Sequence, residues 1–156
     1  MTPQETSDVF EIQQLIYRYS WGVDHRDVAL LDTVFVPDAS IHYNVVGGTK
    51  LPYAEMRGWL PTALQRFRMT QHCMVNPIIE VSGDTARSRT YGVLMHAQER
   101  LDGSRNYVVM HATYFDELTR TPAGWRIVTR RLDNMWTEGD METADKVKAF
   151  PTPVPG

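Results

Sequence analysis

Residues 105–119, RNYVVMHATYFDELT, decide the fold. One parity sets Tyr107, Val109, His111, Thr113 and Phe115 on one face, and the other sets Val108, Met110, Ala112 and Tyr114 opposite. A period of two marks a strand, and apolar residues on both parities predict that both faces are covered. The stretch begins after Leu101-Asp102-Gly103-Ser104 and runs on to Pro122-Ala123-Gly124, both turn-forming clusters. Outward from it, Thr70–Val81, the turn Ser82-Gly83-Asp84, Thr85–Arg100 and Trp125–Trp136 repeat these signals. They predict a meander of long antiparallel strands. Helices can cover one face of such a sheet. In a chain of 156 residues the other face is expected to belong to a second subunit.

The first half reads as helical. Thr6, Ser7 and Asp8 offer N-caps, Glu11 sits as a capping-box acid, and Ile12, Leu15, Ile16, Tyr19 and Val23 recur at helical spacing. Asp27 is expected to cap a short second helix carrying Leu30, Leu31, Val34 and Phe35, ended by Pro37-Asp38. Ala39–Val45 reads as a strand, Gly47-Gly48 as a turn, and Pro52 to about Phe67 as a helix that Pro61 kinks or splits. Residues 139–156 are expected to form an arm. Helices first and strands afterwards argue a single α+β domain rather than alternating βαβ units.

Composition narrows the function. A chain of this length, 42% hydrophobic, supports one core that buries roughly 70% of its unfolded surface. Sixteen basic and nineteen acidic residues are interspersed, so neither nucleic acid nor an anionic membrane is an expected partner. Cys73 is the one cysteine, which excludes a disulfide framework and any CxxC site. Residues 1–10, MTPQETSDVF, have neither the basic start nor the apolar run of a signal peptide, and nowhere do eighteen apolar residues run together. A cytoplasmic protein is expected. No P-loop, GxGxxG or GxSxG is present, so nucleotide binding and acyl-enzyme chemistry have no support. The five histidines (His25, His42, His72, His96 and His111) lack HxH or HExxH spacing, so no metal site is expected.

Asp24 stands at the end of the first helix, where the partial negative charge of the helix terminus disfavours a carboxylate. It reads either as a general base or proton-sharing partner, or as a residue that caps the following turn or meets Arg26. His72, near the start of the first long strand, is either a proton carrier near neutral pH or a packed strand residue. Tyr17, Tyr19, Tyr43, Tyr91, Tyr107 and Tyr114 offer phenol donors or core rings. Trp59, Trp125, Trp136 and eight methionines offer an adaptable apolar lining or core.

Four motifs, in order, carry a resemblance: Tyr19…Gly22-Val23-Asp24, Phe35-x-Pro37-Asp38-Ala39, Thr70-Gln71-His72 and Gly124-Trp125-Arg126-Ile127. Over residues 7 to 138 the chain resembles the SnoaL-like branch of the nuclear-transport-factor-like superfamily. That branch includes scytalone dehydratase, bile-acid dehydratase and hexachlorocyclohexane dehydrochlorinase. The resemblance implies a cone-shaped α+β fold, a strongly curved antiparallel sheet wrapped around N-terminal helices over one deep apolar pocket. It implies that Asp24 and His72 face each other there as a general-base pair, with Tyr19 as a third catalytic residue and Tyr43 as a pocket tyrosine. The dehydrochlorinase carries lysine where this chain has Tyr19, which turns the reading away from dehalogenation. The second pocket tyrosine of scytalone dehydratase falls on Val23.

Trp59 and His111 are further candidate substrate contacts, as is a basic residue of the last strand. Arg131 continues the inward parity of Ile127 and Thr129, and a bulge would shift that place to Arg130. The implied function is a cofactor-independent, dehydratase-type lyase acting on a small to medium apolar cyclic molecule. Isomerase or polyketide-cyclase chemistry in the same pocket is one alternative. A non-catalytic small subunit of a ring-hydroxylating dioxygenase is the other. A homo-oligomer, trimer or dimer, is expected.

Overall fold

Helix α1 (Pro3–Asp24) begins earlier than the Thr6–Asp8 caps predict. Thr2 accepts the Glu5 N–H at 3.1 Å and Glu5 accepts the Thr2 N–H at 2.8 Å, a capping box with Pro3 in the first turn. The acids expected at the cap are used inside the molecule instead. Buried Asp8 accepts both Arg120 terminal nitrogens at 2.8 Å and Trp125 Nε1 at 3.2 Å, and Glu11 accepts the Trp125 backbone N–H at 2.9 Å. Together they fix the start of the helix to the last hairpin. The buried stripe contains Ile12, Leu15, Ile16, Tyr19 and Val23, as the spacing predicts.

The computed structural model describes residues 1–44 and 48–151. Val45 of the expected Ala39–Val45 strand, Gly47 of the expected turn, and the chain beyond Pro151 lie outside that description. Asp27 caps α2 (Val28–Leu31), its side chain accepting the Leu30 N–H at 2.9 Å. Gly22 permits the tight return, because a Cβ there would lie 2.7 Å from Leu31 Cδ2. Helix α2 stops at Leu31, and Phe35 already opens β1 (Phe35–Asn44). Pro37 lies in the irregular stretch between Phe35 and Ser40, where a missing N–H breaks no ladder bond. After β2 (Thr49–Pro52), α3 (Tyr53–Ala63) contains Pro61 and tightens into a 3₁₀ turn at Leu64–Arg66.

The meander follows as β3 (Met69–Ser82), β4 (Thr85–Glu99), β5 (Arg105–Thr121) and β6 (Gly124–Glu138). The six strands form one curved, unclosed sheet in the order β2-β1-β6-β5-β4-β3, with α1 against β3 and β6. One part of the antiparallel expectation is corrected: β1 runs parallel to β6. That pairing joins strands far apart in sequence, and the parity within either strand does not reveal it. The inner face of β4 presents Ala86, Ser88, Thr90, Gly92, Leu94, His96 and Gln98, all buried. Beyond β6 the arm returns along β4 and the 3₁₀ turn, with Lys148 N donating to Glu99 O at 2.8 Å and Phe150 N to Gln65 O at 2.6 Å. Arg26 clasps it by donating to the carbonyls of Leu64, Phe67 and Phe150. Among the described residues no helix is long and apolar enough to cross a membrane.

Candidate active site

Asp24 is the last residue of α1, and β3 is an edge strand with free backbone donors on the side facing that helix. The two meet. Asp24 Oδ2 accepts the His72 backbone N–H at 2.8 Å. Its Oδ1 accepts Thr70 Oγ1 at 2.9 Å and lies 2.6 Å from His72 Nδ1. Three donors offset the unfavourable place of a carboxylate at a helix C-terminus. An ionised carboxylate only accepts, so the contact makes Nδ1 the donor nitrogen of the ring and Nε2 the nitrogen not used by Asp24. The two side chains are only 7% and 15% exposed, so water competes weakly for this geometry.

Around the imidazole stand two further rings. Tyr19 lies edge-on at 6.4 Å between centroids, and His96 edge-on at 5.7 Å. His96, on β4 opposite Thr70, has its pKa pushed down to about 4, chiefly by burial and further by His72, so it is neutral at pH 7. Its Nδ1 is buried without a hydrogen-bond partner. The Tyr19 hydroxyl lies 3.1 Å from that of Tyr43, which donates to Met56 Sδ at 3.3 Å. Burial holds the phenols of Tyr43 and Tyr114 well above their ordinary pKa, so both stay protonated.

Arg130 lies over the Tyr19 ring at 3.9 Å and the Tyr114 ring at 4.8 Å, with no exposed surface. Its Nε and Nη2 each donate to Asp116 at 2.7 Å, and Ser88 also donates to that carboxylate. Burial alone would lower the guanidinium pKa, but the Asp116 charge and hydrogen bonds raise it instead. Nη1 has no partner.

A family model for the SnoaL-like domain matches residues 4–131. The chain belongs to the SnoaL-like domain family. An uncharacterized Mycobacterium tuberculosis protein, Rv2910c, is 39% identical over 127 residues, covering 81% of this chain and 84% of its own. Two solved structures share the fold. A scytalone dehydratase candidate from Novosphingobium aromaticivorans aligns with a TM-score of 0.78 at 23% identity, covering 97% of each chain. A type 2 hexachlorocyclohexane dehydrochlorinase (LinA) aligns at 0.70 and 19%, covering 89% of this chain and 93% of that one.

Of the residues expected at the site, Asp24, His72, Tyr19 and Tyr43 come together, and three do not. Arg131 points outward, pairs with Asp133 at 3.1 Å and rests on the Phe115 ring. A bulge shifts the β5–β6 register between Glu117 and Leu118, so Arg130 takes the inward place. His111 is on the outer parity, 3.0 Å from Glu138. Trp59 is exposed, off the Tyr53-Met56-Leu60 stripe that α3 buries. The expected deep apolar pocket is corrected as well: the cavity reaching the pair is an open cleft of about 340 Å³, lined by residues that include Ser20, Trp21, Asp24, His72 and Cys73. Aromatic rings and Arg130 fill the space beneath it.

Sequence reasoning passed over Asp116, and it gave His96 and Tyr114 no place beside Asp24 and His72. All three lie on the buried alternation of β4 or β5, and a polar residue on a buried parity is the signal that marks them. Among the described residues no group of three or more His, Cys, Asp or Glu side chains is placed to hold a metal.

Proposed function

We propose that the chain is a cofactor-independent lyase of the dehydratase type, acting on a small to medium apolar cyclic molecule. The 2.6 Å contact between Asp24 and His72 carries this reading, because a carboxylate that fixes the Nδ1–H tautomer leaves Nε2 as a base. His72 takes a proton from a carbon next to a carbonyl or leaving group. Asp24 stabilises the imidazolium that forms. The Tyr19 hydroxyl, which donates to the Tyr43 oxygen in the free site, turns to donate its hydrogen bond to the developing oxyanion or departing hydroxyl. His96 stays neutral beside the reacting atoms and adds no positive charge against the imidazolium.

A positioned base contributes on the order of 10²–10⁴ in rate, so His72→Ala and Asp24→Asn are expected to lower turnover by that factor. The assay offers cyclic β-hydroxyketones and reads product mass. Loss of water supports elimination, whereas a mass-conserving product reassigns the pair to isomerisation. Undiminished turnover in both variants overturns the assignment.

A further inference from the structure

Arg26 follows Asp24 by two residues, in the turn that ends α1, and its backbone is left-handed with a φ of +55°. The turn closes as a paired motif: Arg26 N donates to Val23 O at 3.1 Å and Asp27 N to Gly22 O at 2.8 Å. Glycine is the residue such a place favours, because a Cβ there crowds the neighbouring carbonyl. Among the described residues Asn76 is the other non-glycine with positive φ, and asparagine tolerates it. The backbone therefore gives no reason for an arginine at this position. The reason lies in its side chain.

The Arg26 guanidinium is half-buried, and among the described residues all its hydrogen bonds go to backbone carbonyls. Nη2 donates to Leu64 O and to Phe67 O, each at 2.9 Å, and Nη1 donates to Phe150 O. Burial pulls its pKa below the ordinary arginine value, and it stays charged at neutral pH. The acceptors share a place. Leu64 and Phe67 bound the turn that delivers the chain to β3, and Phe67 precedes Thr70 by three residues and His72 by five. Phe150 is tied to the same turn through its N–H on Gln65 O. The Phe67 ring also packs 5.0 Å from His96, which flanks His72. One planar fork thus joins the end of α1 that carries Asp24 to the start of the strand that carries both side chains bonded to it.

We propose that Arg26 is a positioning residue, whose guanidinium fixes the last turn of α1 against β3 and so holds the Asp24 carboxylate on His72 Nδ1. The proposal rests on the reading of Asp24 and His72 as the base pair, and it makes the C-terminal arm, through Phe150, a strut of that pair.

Nitrogen-15 NMR of imidazole-labelled chain tests it without substrate. Arg26→Gly suits the left-handed turn and removes the fork. Its His72 ring is expected to average between the Nδ1–H and Nε2–H forms, whereas the wild type keeps the proton on Nδ1. Turnover is expected to fall about 10²-fold with KM little changed, the effect of a misplacement of about 1 Å. Arg120→Ala loosens the Asp8 clasp near the start of α1, so it should lower the melting temperature and leave the His72 signals as in the wild type. If Arg26→Gly does not fold, Arg26→Lys decides by the same signals, because a compact ammonium cannot reproduce the planar fork. Averaged signals there support the proposal. A wild-type His72 pattern in the folded Arg26 variant, or averaging in Arg120→Ala as well, overturns it and leaves the base-pair reading standing. A wild-type chain without the Nδ1 proton overturns that reading and the proposal with it.

Discussion

Asp116→Asn perturbs the pair beneath the candidate site. Both side chains are fully buried, and the guanidinium grips both carboxylate oxygens at 2.7 Å. In the asparagine variant one of those oxygens becomes an NH₂ facing the donors of Arg130, and the positive charge is left uncompensated. Breaking a buried pair from one side costs about 3–5 kcal/mol, a large share of the ~5–15 kcal/mol that holds a domain of this kind. At ~2–4 °C per kcal/mol for this chain length, the melting temperature should fall by roughly 6–20 °C. Thermal and urea unfolding followed by circular dichroism reads both values.

Removing the pair together, as Asp116→Leu/Arg130→Met, should restore most of the loss, because no charge is then stranded. That double variant also strips the cation from the Tyr19 ring, so its turnover should stay low although its stability recovers. A loss below about 1 kcal/mol in Asp116→Asn would refute the reasoning, since a stranded buried charge cannot be that cheap.

Other consequences are open to measurement. His96 titrates near 4 in the fold and near 6.5 when unfolded, so only the unfolded chain takes up a proton between those values. Stability should therefore fall by a few kcal/mol as pH drops from about 6.5 to about 4, and His96→Gln should flatten that limb of a denaturation series. Arg120 holds Asp8 below the usual carboxylate range, so the stability it contributes is present above the unfolded pKa near 4 and lost in stronger acid. Asp8→Asn should lower stability at neutral pH and weaken its acid dependence. Arg131→Ala, His111→Ala and Trp59→Ala should leave turnover unchanged, whereas Tyr19→Phe should lower it. Equal losses in all four would break the division into inner and outer residues.

Much of the architecture was legible because it is local. Ile12, Leu15, Ile16, Tyr19 and Val23 mark the helix face by spacing alone, and the glycine turns at Gly83 and Gly103 delimit the meander. The Asp24–His72 pair was legible through motif order, since spacing left each residue with two readings. What sequence missed is non-local. The parallel β1–β6 pairing depends on contacts across most of the chain, and the Arg130/Arg131 choice turns on one bulge that inverts parity. His111 was misplaced because both parities of its strand are apolar, so alternation marked a strand without saying which face meets the helices. His96 and Asp116 lie on buried parities, but their partners come from other strands.

The central claim concerns one proton. Nitrogen-15 NMR of imidazole-labelled chain at mildly alkaline pH, with His72→Gln used to assign the signal, reads it without any substrate. The account predicts a protonated Nδ1 and a bare Nε2 on His72, reversed or averaged in Asp24→Asn. A wild-type His72 carrying its proton on Nε2 would contradict it, because the ring would then have no base to offer.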